Sequence, residues 1–374
     1  MKKIGITCYP TVGGSGIIAT ELGKRLANLG YEVHFISTSL PFRLDTIHPK
    51  IYFHEVEVSH YPVFQYPPYD LALANKMADV IDREKLDVLH VHYALPHAIC
   101  AILARNIASH KVKVVTTLHG TDISVLGVDP TLKKMIEYGI NESDGVTAVS
   151  NSLAKQTYDM LQVNKDIQVI YNFINEDEYY RKELPHIRKQ YNIREEEHVF
   201  IHISNFRKVK RIDDVVRTFN LIQKEIPAKL LLVGDGPEKP YIHNLVSDLG
   251  IQGSVLFLGR QKNISDLLSI SDVKLLFSEK ESFGLVLLEA MSCGVPCIGT
   301  NIGGIPEVIE HEKNGYLVDI GEHEAAAKFA IRLVTDRYIY DKVSQYAIQT
   351  ARDKFCSEKI ISEYINVYKN VLKS

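Results

Sequence analysis

The sequence predicts two doubly wound α/β domains in tandem, each a parallel sheet covered by helices. The length, 374 residues, exceeds what one hydrophobic core comfortably serves. Short apolar runs alternate with amphipathic segments from end to end, the pattern of strands buried on both faces and joined by crossover helices. That alternation lapses once, near residue 171, into polar and aromatic material and then a charged stretch to residue 197.

In the first series, residues 3–8, 32–37, 51–56, 88–92, 112–118, 145–149 and 168–170 read as strands. Helical periodicity falls between them at 17–29, 71–83, 98–109, 131–141 and 152–161. The second series places strands at 199–204, 229–233, 255–258, 273–278, 296–300 and 315–318, and a helical tail covers 357–372. The expected domains are residues 1–170 and 171–356. A doubly wound sheet takes ligands at the carboxyl ends of its strands, where the strand order reverses. Two such units facing a central cleft would place a ligand there.

Composition narrows the function classes. Hydrophobic residues make up 45% and charged residues 24%, ordinary for a globular enzyme. A net charge of −3 gives no global field for nucleic acid or an anionic membrane. No apolar run approaches the roughly 20 residues that span a bilayer. The N-terminal segment turns into a strand and a Gly-rich loop too soon for a signal peptide, so a cytoplasmic location is expected. Five scattered cysteines fit a reducing compartment. Cys293 and Cys297 flank Gly294 and Pro296 without a second pair at zinc spacing, and His90, His92 and His97 have no carboxylate ligand nearby in sequence. No metal and no cofactor is expected, and a homo-oligomer is left open.

Two segments carry chemistry. Pro10 to Gly16 follows the first strand and precedes a helix, and its glycines let backbone N–H groups approach an anion. It matches neither the dinucleotide fingerprint nor a phosphate-binding loop ending in Lys-Ser/Thr. The stronger segment runs from Ser278 to Gly294. There a strand end, a loop bearing Glu281 and a helix starting near Gly284 come in sequence, with Glu289 on that helix. A carboxylate ahead of bare helix amides suits a sugar diphosphate: Glu281 meets sugar hydroxyls, the amides near Gly284, Leu285 and Val286 meet phosphate, and Glu289 accepts from a ribose. Two carboxylates so placed also fit a hydrolase pair.

The acids Glu281 and Glu289 resemble the E-x7-E signature of retaining glycosyltransferases with the GT-B fold. Phe283 lies inside that signature, and the segments 294–307, 314–318 and 232–238 also look like that family. The resemblance covers nearly the whole chain. It implies a donor-binding second domain, an acceptor-side first domain, and a last helix, 357–374, that joins the first domain. It further implies that Arg207 and Lys210, in Ser204 to Arg211, hold the donor diphosphate, with Arg211 an alternative to Lys210. His119, in His119-Gly120-Thr121-Asp122, stands where the family has its catalytic histidine, and Tyr171 to Ile174 resembles the interdomain asparagine motif.

A narrower resemblance, carried by residues 4–10, 13–23, 41–44, 92–97 and 204–207, is to members of the family that open bacillithiol synthesis. It implies UDP-N-acetylglucosamine (UDP-GlcNAc) as donor and L-malate as acceptor. Catalytic roles are then expected for Glu281, His119, Arg207 and Lys210. Donor contacts are expected from Gly16, Arg260, Gln261, Phe283, Gly284, Leu285, Val286 and Glu289 besides, and acceptor contacts from Ser15, Gly16, Tyr93, Thr117, Asn205 and Arg207. The lack of Asp-x-Asp in a matching place supports metal-independent transfer. Rival readings are a UDP-sugar epimerase, a nucleotide-sugar sensor, and a transferase to another small acceptor such as an inositol phosphate.

Overall fold

The strands assemble into two sheets, one of seven strands and one of six. The computed structural model describes every residue except Met1, Thr11, Val12, Asp45, Thr46, His60, Tyr61, Phe64 and Ser374. Thr11 and Val12 belong to the glycine-bearing segment after the first strand, so that part of it lies outside the described residues.

The first sheet contains β1 (Lys3–Thr7), β2 (Glu32–Ser37), β3 (Ile51–Glu55), β4 (Val88–His92), β5 (Lys113–Leu118), β6 (Gly145–Ala148) and β7 (Ile167–Val169), in the order β3-β2-β1-β4-β5-β6-β7. The second contains β8 (His198–Ile203), β9 (Ala228–Val233), β10 (Val255–Gly259), β11 (Val273–Leu276), β12 (Cys297–Thr300) and β13 (Gly315–Val318), in the order β10-β9-β8-β11-β12-β13. Every pairing is parallel. Strand order reverses between β1 and β4 in one sheet and between β8 and β11 in the other. Those two points are where a doubly wound sheet opens a crevice.

The chain divides into Met1–Asn172 with Ser357–Ser374 as one compact unit and Phe173–Cys356 as the other. In the first unit, Leu73, Met77, Val80 and Ile81 of the helix Tyr69–Glu84 repeat at helical spacing and pack with Leu89, Val91 and Val114 of the sheet. In the second, Val215, Val216, Phe219 and Ile222 of the helix Ile212–Glu225 pack with Phe200, Leu230 and Leu232. Each fully buried side chain of this kind contributes about 1.5–3 kcal/mol.

The tail helix Ser357–Val371 buries Ile360, Ile361, Tyr364, Val367 and Tyr368. The Tyr368 hydroxyl lies 2.8 Å from His90 Nδ1 on β4. A Cβ at Gly145 would come within 2.9 Å of Val371, so the bare glycine lets the helix approach β6. Among the described residues no helix is long and apolar enough to cross a membrane.

The main departure from expectation is at the first helix, which runs Gly14–Asn28 rather than starting at residue 17. Gly13 is its extended N-cap, so Ser15 and Gly16 lie in the first turn and not in a loop. Glycine's low helix propensity hid that turn from sequence.

Candidate active site

In the second unit, the loops leaving β8 and β11 carry most of the expected donor residues. After β8, Phe206 turns inward and is fully buried. Its N–H donates to the Asp235 carbonyl at 3.0 Å and its own carbonyl accepts from Glu238 N–H at 2.9 Å. The loop after β9 thus clamps it, leaving Asn205 and Arg207 exposed on either side. Lys210 N–H donates to the Arg207 carbonyl at 2.8 Å, closing a tight turn that holds both cations.

Lys210 Nζ donates to Glu281 Oε2 at 2.7 Å, with side-chain exposures of 19% and 17%, so a ligand can still reach both. Backbone joins the same two loops, because Glu279 N–H donates to the Val209 carbonyl at 2.9 Å. Arg211 is engaged elsewhere: its backbone is left-handed at φ 44° and its guanidinium pairs with Asp214. Geometry therefore gives Lys210, not Arg211, to Glu281.

The helix Leu285–Ser292 starts at Gly284, whose φ of 87° favours glycine, and no side chain caps it. Its first amides, at Leu285 and Val286, have no intrahelical acceptor. Gly304 N–H donates to the Glu281 carbonyl at 2.9 Å. Gly303 and Gly304 press so closely on the Glu281 and Ser282 carbonyls that a Cβ at either would collide with backbone. The acidic loop is therefore fixed from below by backbone.

Glu289 is buried on this helix. The Phe283 ring turns into the interior against Phe355, centroids 5.5 Å apart, so only its backbone is left for a ligand. Arg260 and Gln261 are exposed after β10, and Gln261 Nε2 donates to the Leu258 carbonyl at 2.6 Å.

Sequence reasoning missed Lys274. It is fully buried on β11 with no hydrogen-bond acceptor for Nζ among the described residues, and burial pulls it down to about 7. The available signal was a lysine inside an apolar strand.

In the first unit, the corresponding loops leave β1 and β4. Gly14, Ser15 and Gly16 present first-turn amides, and Ser15 Oγ lies 2.8 Å from the Tyr93 hydroxyl. Tyr93 follows β4 directly with φ 88°, held by its N–H donating to the Thr117 carbonyl at 2.9 Å. Thr117 does not face a ligand with its side chain. It is fully buried, and its hydroxyl lies 2.7 Å from both His90 Nε2 and Thr147 Oγ1. The expectation of a Thr117 hydroxyl contact is corrected: the hydroxyl is engaged with His90 and Thr147 on the neighbouring strands, and the backbone carbonyl of Thr117 is what holds Tyr93.

His119 Nε2 lies 2.8 Å from His92 Nδ1, and burial pulls His119 down to about 3, so the imidazole is neutral. Asp122, quoted with the His119 motif but given no role, is fully buried. Its carboxylate accepts from the N–H groups of Gly120 at 2.9 Å, Ala94 at 3.0 Å and His119 at 3.3 Å. It ties the His119 loop to the loop after β4.

Among the described residues, His34, His54 and Glu84 come close enough to share an ion. Their ring nitrogens and one carboxylate oxygen take part in hydrogen bonds. Arg83 donates to His54 Nδ1 at 3.0 Å and to Glu84 at 2.7 Å, His54 Nε2 lies 2.9 Å from His34 Nδ1, and His34 Nε2 lies 3.1 Å from Glu32. This is a completed hydrogen-bond chain linking β2, β3 and the helix Tyr69–Glu84.

Two parallel-sheet units, one gathering cations, carboxylates and bare helix amides at its switch point, define the GT-B class. Residues 12–178 match the family Glycosyltransferase Family 4, and residues 185–352 match Glycosyl transferases group 1. The chain is 58% identical over 371 residues to the N-acetyl-alpha-D-glucosaminyl L-malate synthase of Bacillus anthracis, covering 99% of this chain and 97% of that one. It is 28% identical to an uncharacterized glycosyltransferase of Methanocaldococcus jannaschii, over 96% of both chains. In fold it matches a Rickettsia africae glycosyltransferase with TM-score 0.83 and 23% identity, over 100% of this chain and 99% of that one. It also matches Anabaena HepE, solved with UDP and glucose, with TM-score 0.85 and 20% identity, over 99% of this chain and 100% of that one. The chain belongs to the GT-B glycosyltransferases and is a glycosyltransferase enzyme of group 1.

Proposed function

We propose that the protein transfers N-acetylglucosamine from UDP-GlcNAc to the hydroxyl of L-malate, with retention at the anomeric carbon. The observation that carries this reading is the 58% identity, over 99% of the chain, to a synthase of that glycoside. The second unit supports a nucleotide-diphosphate donor. Arg207 and Lys210 share one turn, and the amides of Leu285 and Val286 add partial positive charge at a helix start.

In this reading Lys210 bridges donor phosphate and Glu281, so Glu281 is oriented toward the sugar before the donor arrives. Glu289 accepts from the ribose, and backbone near Arg260 and Gln261 meets the base. The bond from the anomeric carbon to the diphosphate oxygen breaks, and its electron pair leaves with UDP. The malate hydroxyl oxygen bonds to the same face of that carbon, and its proton passes to the leaving phosphate. Arg207, Lys210 and the helix amides neutralise the charge that develops, which dispenses with a metal. On the first unit, Ser15, Gly16 and Tyr93 are the acceptor candidates. First-turn amides suit a carboxylate. His119 is read as a neutral hydrogen-bonding group.

The test is UDP release from UDP-GlcNAc with L-malate, D-malate, succinate or inositol phosphate, and with no acceptor. Turnover is expected with L-malate alone. Reaction with inositol phosphate but not L-malate would overturn the acceptor and keep the transferase. Epimerisation without acceptor would overturn transfer itself.

A further inference from the structure

The sheet face beneath the helix Leu285–Ser292 carries a buried charge that the reading above does not use. Lys274 on β11 is in register with Cys297 on β12. Register neighbours in parallel strands share a face, and Cys297 Sγ lies 3.6 Å from the Leu287 carbonyl of that helix. Lys274 therefore lies on the face the helix covers. Glu289, two residues beyond Leu287, is buried on the same helix.

A lone buried ammonium is costly unless an opposite charge shares its low-dielectric surroundings. A buried carboxylate has the mirrored difficulty, because desolvation favours its neutral form, which gives one acceptor oxygen up to a proton. We infer that Lys274 is a positioning residue for donor binding: its buried ammonium is the counter-charge that keeps Glu289 ionised and able to accept from a vicinal diol such as a ribose. The inference rests on the assignment of Glu289 to the donor ribose.

The charged and titratable groups around this amine are Cys297 on β12, Glu289 on the helix, Lys210 and Glu281 on the loops, and His202 on β8. Burial pushes the Cys297 thiol up to about 12 and His202 well below its ordinary range, so both are neutral near pH 7. Lys274, pulled down to about 7, changes charge there. Rising pH removes the counter-charge, so UDP binding weakens between about pH 6 and about pH 8.5.

The test is calorimetric UDP affinity of the full chain for wild type, Lys274→Met, Glu289→Gln and the double variant. Each single change is expected to weaken UDP about tenfold, and the double no more than either alone, because one interaction is lost in all three. Wild type should lose affinity with pH more steeply than Lys274→Met. A Lys274→Met affinity and pH profile like wild type, or additive losses, would overturn the inference while a weakened Glu289→Gln keeps the ribose assignment. An unchanged Glu289→Gln would overturn both.

Folding is checked by Tm. The lysine titrates near 7 in the fold against an ordinary 10.5. The unfolded chain alone holds the proton across that window, so wild-type stability rises with pH there. Lys274→Met should lack that slope and melt higher at neutral pH, and Lys274→Gln serves as a second neutral variant. A merely structural lysine would change Tm and leave the UDP profile intact.

Discussion

The two switch points of this chain have the same topology and differ in their exposed charge. At β8 and β11 the loops carry exposed Arg207 and the partly buried pair Lys210–Glu281. At β1 and β4 stand Ser15, in the first turn of the helix after β1, and Tyr93, directly after β4, with a neutral His119 after the neighbouring β5, backed by His92, His90 and Thr117. Burial pulls His92 and His90 below their ordinary range as well, so the cluster is uncharged at pH 7. The difference teaches what each loop set is able to do. Fixed charge at one crevice suits a leaving diphosphate. A neutral hydrogen-bonding network at the other suits the orientation of a small polar group.

The largest expected effect tests the charged crevice. Glu281→Ala removes the partner that Lys210 holds at 2.7 Å and the group read as fixing the donor sugar. The expected loss in kcat is about 10²–10³-fold, the scale for one preorganised transition-state contact. UDP affinity should stay nearly unchanged, because the cations and helix amides remain. Steady-state kinetics with calorimetric UDP binding checks this. A large loss of UDP affinity with intact kcat would reverse the roles assigned to Glu281 and the cations.

A smaller effect is expected at the neutral crevice. Asp122→Ala leaves three backbone N–H groups without their carboxylate. The cost is roughly 1–3 kcal/mol, a Tm lowered by several degrees. Loosening the His119 and Tyr93 loops should raise KM for the acceptor while UDP binding is kept. Equal damage to UDP binding would mean the two crevices are not separable in this way.

Legibility in sequence followed distance along the chain. The strands were readable because apolar runs report burial on both faces, and β2, β4 and β13 have the bounds the sequence predicts. Glu281 and Glu289 were readable as a pair because a loop acid and an acid on the helix that follows stand eight positions apart. Contacts closed only by the tertiary fold were not. His90 meets Tyr368 across 278 positions, and Lys210 meets Glu281 across 71. Arg211 and Lys210 are neighbours of like charge, so no spacing rule separates them. A left-handed backbone at Arg211 and its pairing with Asp214 do. Thr117 reads as a polar strand end, and only its contacts with His90 and Thr147, from neighbouring strands, show that its hydroxyl is engaged inside the fold. Lys274 stood in plain view in an apolar strand, yet its meaning depends on Cys297 and a helix that the sequence does not place beside it.

The smallest expected effect is the sharpest test of the comparison, since it predicts no change. If fixed cations at the second unit's switch point neutralise the leaving diphosphate, a divalent ion has no remaining task there. Arg207 is exposed and Lys210 is partly buried. The Leu285 and Val286 amides add charge of the same sign at a helix start. The described cluster closest to a metal site, His34, His54 and Glu84, draws on β2, β3 and the helix Tyr69–Glu84 rather than on the loops after β8 and β11. Turnover of UDP-GlcNAc with L-malate should therefore be the same in excess EDTA as in added Mg²⁺. Raising ionic strength should instead weaken UDP binding, because exposed charges are screened over about 8–10 Å in ordinary buffers. A loss of kcat in EDTA that Mg²⁺ or Mn²⁺ restores would show that the protein's own cations are insufficient. The contrast between a self-sufficient charged crevice and a neutral one would then have to be redrawn around a metal.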